Sequence, residues 1–131
     1  MYNVGVLNYK IISEVKMDPI YFNVDEALGR MMGNKMILVK LLNKFVESTD
    51  IAPLKADLEK KDYPAAAEKT HAIKGVSANL ALTELNSLAK ILEQNLKEQN
   101  GADYDKNFAD LADVFEKTMV AIKEAISELS A

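Results

Sequence analysis

Residues 69–80 read KTHAIKGVSANL and include His71, the single histidine of a chain of 131 residues. Turned at about 100° per residue, this segment and the turn before it place small and apolar side chains on one side of a helix, namely Ala66, Ile73, Val76, Ser77 and Leu80. His71 falls almost opposite that side. The spacing therefore predicts a helix that packs against the core through one face and presents an imidazole to solvent on the other.

The side of this predicted helix that carries His71 is lined mostly by small residues, namely Pro64, Ala67, Gly75 and Ala78. A glycine inside an exposed helix costs about 1 kcal/mol relative to alanine, so Gly75 indicates that something must approach the helix there. Lys74 lies three residues after His71, where its ammonium can neutralise an anion attached to the ring. We therefore expect His71 to carry phosphate. The predicted docking surface for a partner consists of Ala67, Gly75 and Ala78.

The run HAIKGVSANL, residues 71–80, resembles the active-site helix of histidine-containing phosphotransfer (HPt) domains. The order of the predicted helices is also similar to that family over residues 22–129, which is most of the chain. The resemblance implies that His71 accepts a phosphoryl group and that Lys74 stabilises its charge. It also implies that Gly75 leaves room for the receiver domain of a response regulator.

The resemblance further implies which molecules take part. The donor would be a receiver-domain aspartyl phosphate or a sensor or hybrid histidine kinase, and the acceptor would be another receiver aspartate. Mg²⁺ is expected in the partner receiver domain, with no cofactor and no metal site on this chain. An exposed imidazole is largely unprotonated at neutral pH, so it can attack phosphorus without a dedicated base. The sequence contains no glycine-rich nucleotide loop, which predicts a phosphocarrier without autonomous kinase activity.

Glu93, or Gln94 beside it, lies on the predicted helix that follows the histidine helix. Members of the resembled family often place a polar residue near the imidazole at this point. One of the two side chains is therefore expected to support His71, and a plain surface role is the alternative.

Capping residues and helix breakers mark the ends of the predicted helices. The predicted N-caps are Asn23, Asn34, Asp62 and Thr83. Gly33 is expected to end the first helix and Gly101 the helix after the histidine helix. Pro53 predicts a kink or a short break within residues 49–53. Ala81 stands where members of the resembled family often have glycine, which leaves the shape of the turn after the histidine helix open.

Apolar residues recur every three or four positions along the long segments, and the last of them carries Phe108, Leu111, Phe115, Met119, Ile122, Ile126 and Leu129 on one stripe. Amphipathic helices with short connections favour an antiparallel bundle. We therefore predict an all-α chain that forms an antiparallel up-down four-helix bundle with a short additional N-terminal helix. Residues 20–131 are expected to form this single HPt domain. Residues 1–19 are weakly patterned, and Ile11, Ile12 and Val15 offer at most one or two amphipathic turns.

The composition argues against several classes of function. A formal net charge of −4 disfavours nucleic acid and anionic membranes as partners, because both select clustered Lys and Arg. Without cysteine, the chain has no disulfide framework, thiol nucleophile or thiolate metal site. No apolar run approaches the roughly 20 residues that cross a bilayer, and the first residues lack the pattern of a signal peptide. We expect a cytoplasmic monomer, and Met1 favours a free-standing protein over a piece of a hybrid kinase.

Two other interpretations fit some of the same residues. Glu68 and His71 are spaced as in di-iron helical bundles, but such sites need two histidines and this chain has one. A helical adaptor whose groove binds a partner helix, with His71 incidental, remains an alternative function. An adaptor would acquire no acid-labile, alkali-stable phosphate from a phosphorylated receiver.

Overall fold

The computed structural model describes residues 18–131. Within that range the chain forms the helices α1 (Val24–Arg30), α2 (Lys35–Ser48), α3 (Ala52–Glu59), α4 (Tyr63–Asn79), α5 (Thr83–Glu98) and α6 (Tyr104–Leu129). This part of the chain contains no strand, which confirms the all-α prediction. None of its helices is both long and apolar enough to cross a bilayer. The turns predicted around Ile11, Ile12 and Val15 fall outside the described residues.

Side-chain caps start three of the helices as predicted. Each capping oxygen accepts a hydrogen bond from the backbone N–H three residues later, which satisfies a donor that the helix leaves free: Asn23 from Glu26, Asn34 from Ile37 and Asp62 from Ala65. The prediction for Thr83 was wrong, because Leu82 occupies the N-cap position of α5 and makes no side-chain cap. The free N–H of Glu84 is instead bonded at 2.7 Å to the carbonyl oxygen of Ile20, a tertiary contact that replaces a local cap.

The predicted helix ends are partly confirmed. α2 stops at Ser48 and α3 starts at Ala52 with a proline in its first turn, so the expected break is present. Gly33 lies two residues after Met31, the C-cap of α1, but it completes the C-terminal turn, because with φ +78° its N–H donates to the carbonyl oxygen of Leu28 at 2.8 Å. The prediction that Gly101 ends α5 was wrong by two residues, because the left-handed C-cap is Gln99.

The turn between α4 and α5 is formed around Ala81, where the sequence left its shape open. Ala81 is buried and takes a left-handed φ of +58°, which costs a residue with a Cβ about 1–2 kcal/mol. Its carbonyl oxygen accepts a hydrogen bond from the Asn23 N–H at 3.0 Å. The strained turn is thus tied to the start of α1, and α5 follows α4 after only residues 80–82.

α4 lies between two neighbours, because it packs against α5 on one flank and against α3 on the other. α5 also packs against α6, and α6 packs against α2, where the rings of Phe45 and Phe115 have centroids 6.1 Å apart. The buried core draws its larger side chains from every helix except the short α1, including Leu38, Leu42, Leu54, Ile73, Leu85, Leu92, Leu96, Leu111 and Ile122. This packing fixes the rotation of α4 and leaves one of its faces open to solvent.

Candidate functional site

His71 stands on the open face of α4. Its side chain is 65% exposed, whereas the residues on the opposite side of the helix, Ala66, Ile73, Ser77 and Leu80, are buried. The exposed position agrees with the rotation that the apolar spacing predicts. The imidazole can therefore be reached by a partner without any movement of the core.

The Nδ1 edge of the imidazole is held by Glu93 of α5. Glu93 Oε2 lies 2.8 Å from His71 Nδ1 and 3.0 Å from Lys97 Nζ, and the other carboxylate oxygen lies 2.6 Å from Lys74 Nζ. The Glu93 side chain is only 4% exposed. One buried carboxylate thus has three donors, two of which are ammonium groups.

The protonation state of Glu93 follows from these contacts. Burial by itself would raise its pKa, but hydrogen bonds from Lys74, Lys97 and His71 outweigh that effect and lower the pKa from 4.5 to about 2. Glu93 is therefore a carboxylate at neutral pH, and a carboxylate can only accept hydrogen bonds.

The tautomer of His71 is a consequence of that acceptor. Because Glu93 cannot donate, Nδ1 must carry the hydrogen of the bond between them. In the neutral ring the lone pair then lies on Nε2, the nitrogen away from Glu93. The site presents one nucleophilic nitrogen to solvent in a fixed orientation.

Lys74, which the sequence predicts can reach the imidazole, binds the Glu93 carboxylate in the free protein. Its backbone is also fixed, because the carbonyl oxygen of Lys74 accepts hydrogen bonds from Asn86 Nδ2 at 2.9 Å and from Ser77 Oγ at 3.0 Å. Asn86 belongs to α5, so this contact ties the middle of α4 to α5 close to His71. Sequence reasoning missed Asn86, and nothing in its local spacing indicates the contact.

The small residues near His71 divide into two groups. Gly75 and Ala78 are exposed, and a Cβ added at Gly75 would meet no other atom within 4 Å. Ala67, by contrast, is only 9% exposed, so its placement on the open docking surface was wrong. Ala67 lies one turn before His71 on the flank of α4 that also carries Lys74, and the packing of α4 on α5 covers that flank.

Glu93 and Gln94, the two residues of α5 that the sequence offers as support for His71, have different surroundings. Gln94 is exposed and donates a hydrogen bond to Glu98 Oε2 at 3.0 Å. Glu93 is the residue that the fold brings to His71. Sequence reasoning missed Lys97, although its position four residues after Glu93 is the spacing of a helical ion pair.

A groove of about 400 Å³ lies on the other flank of α4. Its walls come from the end of α2, the start of α3 and the neighbouring side of α4, and include Thr49, Pro53, Leu54, Lys69, Ala72 and Val76. Among residues 18–131, no cluster of three His, Cys, Asp or Glu side chains is placed to hold a metal ion.

Comparison with known proteins identifies the family. A family model described as Hpt domain matches residues 40–131, which is well over half of the chain and includes both His71 and Glu93. No curated protein and no solved structure matched the chain. With its exposed histidine held on a helical scaffold, the chain belongs to the Hpt domain family, whose members take part in phosphotransfer in two-component phosphorelays.

Proposed function

We propose that His71 Nε2 accepts a phosphoryl group and passes it to or from receiver-domain aspartates in a two-component phosphorelay. The observation that carries this proposal is the hydrogen bond between His71 Nδ1 and the ionised carboxylate of Glu93. That bond leaves the ring lone pair on the nitrogen that faces solvent. Family membership supports the reaction class.

The proposed transfer needs no proton to leave the site. The Nε2 lone pair attacks the phosphorus of a receiver aspartyl phosphate, and the new N–P bond forms as the bond from phosphorus to the aspartate oxygen breaks. The aspartate leaves as a carboxylate. The ring becomes positively charged because it keeps its Nδ1 hydrogen, and Glu93 continues to accept the hydrogen bond from it. The reverse sequence passes the group to the next aspartate.

Lys74 and Gly75 support the same reaction in different ways. Lys74 is 30% exposed, so its ammonium can turn from Glu93 towards a phosphoryl group on His71. The open space above Gly75 admits the partner that must bring phosphorus in line with Nε2, where a displacement of about 1 Å already lowers the rate strongly. Ala78, one turn further along α4, extends this exposed surface.

Hpt domains interact with receiver domains and histidine kinases, and we propose partners of these classes for this chain. Mg²⁺ is expected to come from the receiver, and the chain is expected to act as a monomeric cytoplasmic phosphocarrier without kinase activity of its own. The antiparallel up-down arrangement of four helices belongs to the same proposal, with α2 and α3 counted as one helix interrupted by a break and α1 as the short additional helix. The short connection between α4 and α5, which pack on each other, supports it.

The decisive experiment is incubation with phosphorylated receiver domains, followed by mass spectrometry. The wild-type protein should gain one phosphoryl group on His71 that acid removes and alkali does not, and long-range ¹H–¹⁵N NMR should place it on Nε2. His71→Gln should remain unlabelled with unchanged helicity and melting temperature. Labelling of His71→Gln, or loss of its fold, would overturn the assignment.

A helical adaptor is the second candidate, favoured by the groove beside α4. An adaptor would bind its partner equally well with His71→Gln and would acquire no phosphate. If the chain is an adaptor, Ala72→Glu in the groove wall should abolish binding of the partner. Binding and labelling assays on His71→Gln and Ala72→Glu therefore separate the two functions.

A further inference from the structure

Lys97 is a cation that the proposed reaction does not yet use. Its Nζ lies 3.0 Å from Glu93 Oε2, the same oxygen that binds His71 Nδ1. His71 Nδ1 lies 2.8 Å from that oxygen, so the distance between Lys97 Nζ and His71 Nδ1 cannot exceed the sum of these two distances. The ammonium group already lies beside the imidazole.

The charge around Glu93 is not balanced. Glu93 contributes one negative charge, Lys74 and Lys97 contribute one positive charge each, and the neutral ring contributes none. One cation would be sufficient to neutralise the carboxylate. The cluster therefore has one surplus positive charge beside the Nδ1 edge of the imidazole, whose Nε2 the proposed reaction modifies.

The surplus charge matches the group that is transferred. Transfer from an aspartyl phosphate brings one net negative charge to His71, because the aspartate leaves with its own. The cluster is then neutral with both lysines and would carry a net negative charge with Lys74 alone. A cation close to the phosphoryl oxygens stabilises the charge that these oxygens carry in the transition state and in the product.

We propose that Lys97 is a second phosphate-stabilising residue, bound to Glu93 in the free protein and turning to the phosphoryl oxygens when His71 is modified. This proposal rests on the proposed function. The Lys97 side chain is 62% exposed, about twice as much as that of Lys74, so it is free to turn. The ammonium end of this pair is solvated, so water can replace Glu93 as its partner, and Glu93 keeps the hydrogen bond from His71 when Lys97 turns away.

The test compares Lys97→Ala and Lys97→Arg with Lys123→Ala, which removes an exposed cation from α6. All variants are labelled with phosphoramidate, and the half-life of phosphohistidine and the rate of transfer to a receiver are measured. Lys97→Ala should shorten the half-life or slow transfer about three- to fivefold, as expected for the loss of one charge interaction in a solvated site. Lys97→Arg and Lys123→Ala should behave like the wild type.

A second cycle separates a direct contact from an effect through Glu93. Glu93→Gln keeps an acceptor for the Nδ1 hydrogen but removes the charge that binds Lys97. If Lys97 stabilises the phosphoryl group directly, Lys97→Ala will still shorten the half-life in the Glu93→Gln background. If the effect disappears there, or if Lys97→Ala matches the wild type, the proposal is wrong. A wild-type protein that acquires no phosphate on His71 would instead refute the proposed function itself.

Discussion

α4 carries an ion pair on each flank, and the two pairs differ in the groups that bind the carboxylate. On the α3 side, Lys69 binds Asp57, and within the described part of the chain this lysine is the one cation on that carboxylate. On the α5 side, Glu93 binds Lys74, Lys97 and His71 together. Both carboxylates are largely buried, with side chains that are 12% and 4% exposed.

Under the proposed function the two pairs have different roles: the pair at Asp57 is structural, and the cluster at Glu93 forms the phosphotransfer site. At Asp57 one negative and one positive charge cancel, and no nucleophile is attached. At Glu93 the same kind of carboxylate holds a histidine in one tautomer and gathers an excess of cations around it. We expect the first pair to affect stability alone and the second to affect phosphotransfer.

The largest expected effect comes from removal of the Glu93 carboxylate, and removal of the Asp57 carboxylate is the matched comparison. Glu93→Ala should slow phosphotransfer about 10- to 100-fold, by analogy with the carboxylates that orient metal-binding histidines, whose removal has effects of this size. Asp57→Ala should leave transfer within about twofold of the wild type and lower stability by ~1 kcal/mol, since Lys69 is 41% exposed. Transfer kinetics and thermal unfolding of both variants measure this contrast. Equal losses of transfer would show that the two flanks do not differ in function.

Gly75→Gln should raise stability and lower transfer at the same time. The substitution replaces glycine by a good helix former in open space, so unfolding should require about 0.5–1 kcal/mol more. Transfer from a receiver should fall about tenfold, because the side chain enters the space in which the partner must place phosphorus. Labelling by phosphoramidate, which needs little room, should persist. A less stable variant would mean that Gly75 serves helix geometry and not docking.

Lys74→Ala tests whether a lysine on the α5 side of α4, which binds Glu93, differs from Lys69 on the α3 side, which binds Asp57. Lys74→Ala should slow transfer or shorten the phosphohistidine lifetime about three- to tenfold with the fold intact, because one cation near the phosphoryl oxygens is lost. The matched variant Lys69→Ala should change neither quantity. Single-turnover transfer and hydrolysis assays measure both. Unchanged kinetics in Lys74→Ala would remove this lysine from the mechanism.

A further expected effect, on stability and not on transfer, is the contribution of Glu93 to folding in acid. Its pKa in the folded protein, about 2, is below its ordinary value of 4.5, so its stabilisation is present above about pH 4.5 and is lost as the pH falls towards 2. The difference in unfolding free energy between the wild type and Glu93→Ala should therefore shrink over this range by ~1–3 kcal/mol. Gln94→Ala, at the exposed neighbouring position, should show a constant difference. Chemical denaturation at several pH values measures both, and a pH-independent difference for Glu93→Ala would contradict the lowered pKa.

The sequence by itself determined the features that depend on local spacing. The rotation of α4, with His71 outside and Ile73 inside, follows from the helical period, and three caps follow from side chains that reach only their own backbone. The break before Pro53 is local for the same reason.

Only the tertiary structure decided which residues surround the histidine. Glu93 and Gln94 differ by about 100° around the axis of α5, and both are polar residues with similar local spacing. The choice between them depends on how α5 packs, with Leu85, Ala89, Leu92 and Leu96 in the core. That packing buries Glu93 against α4, covers Ala67 and brings His71 and Lys74 to the Glu93 carboxylate, because contacts between helices depend on the rotation and register of both partners and not on either sequence segment alone.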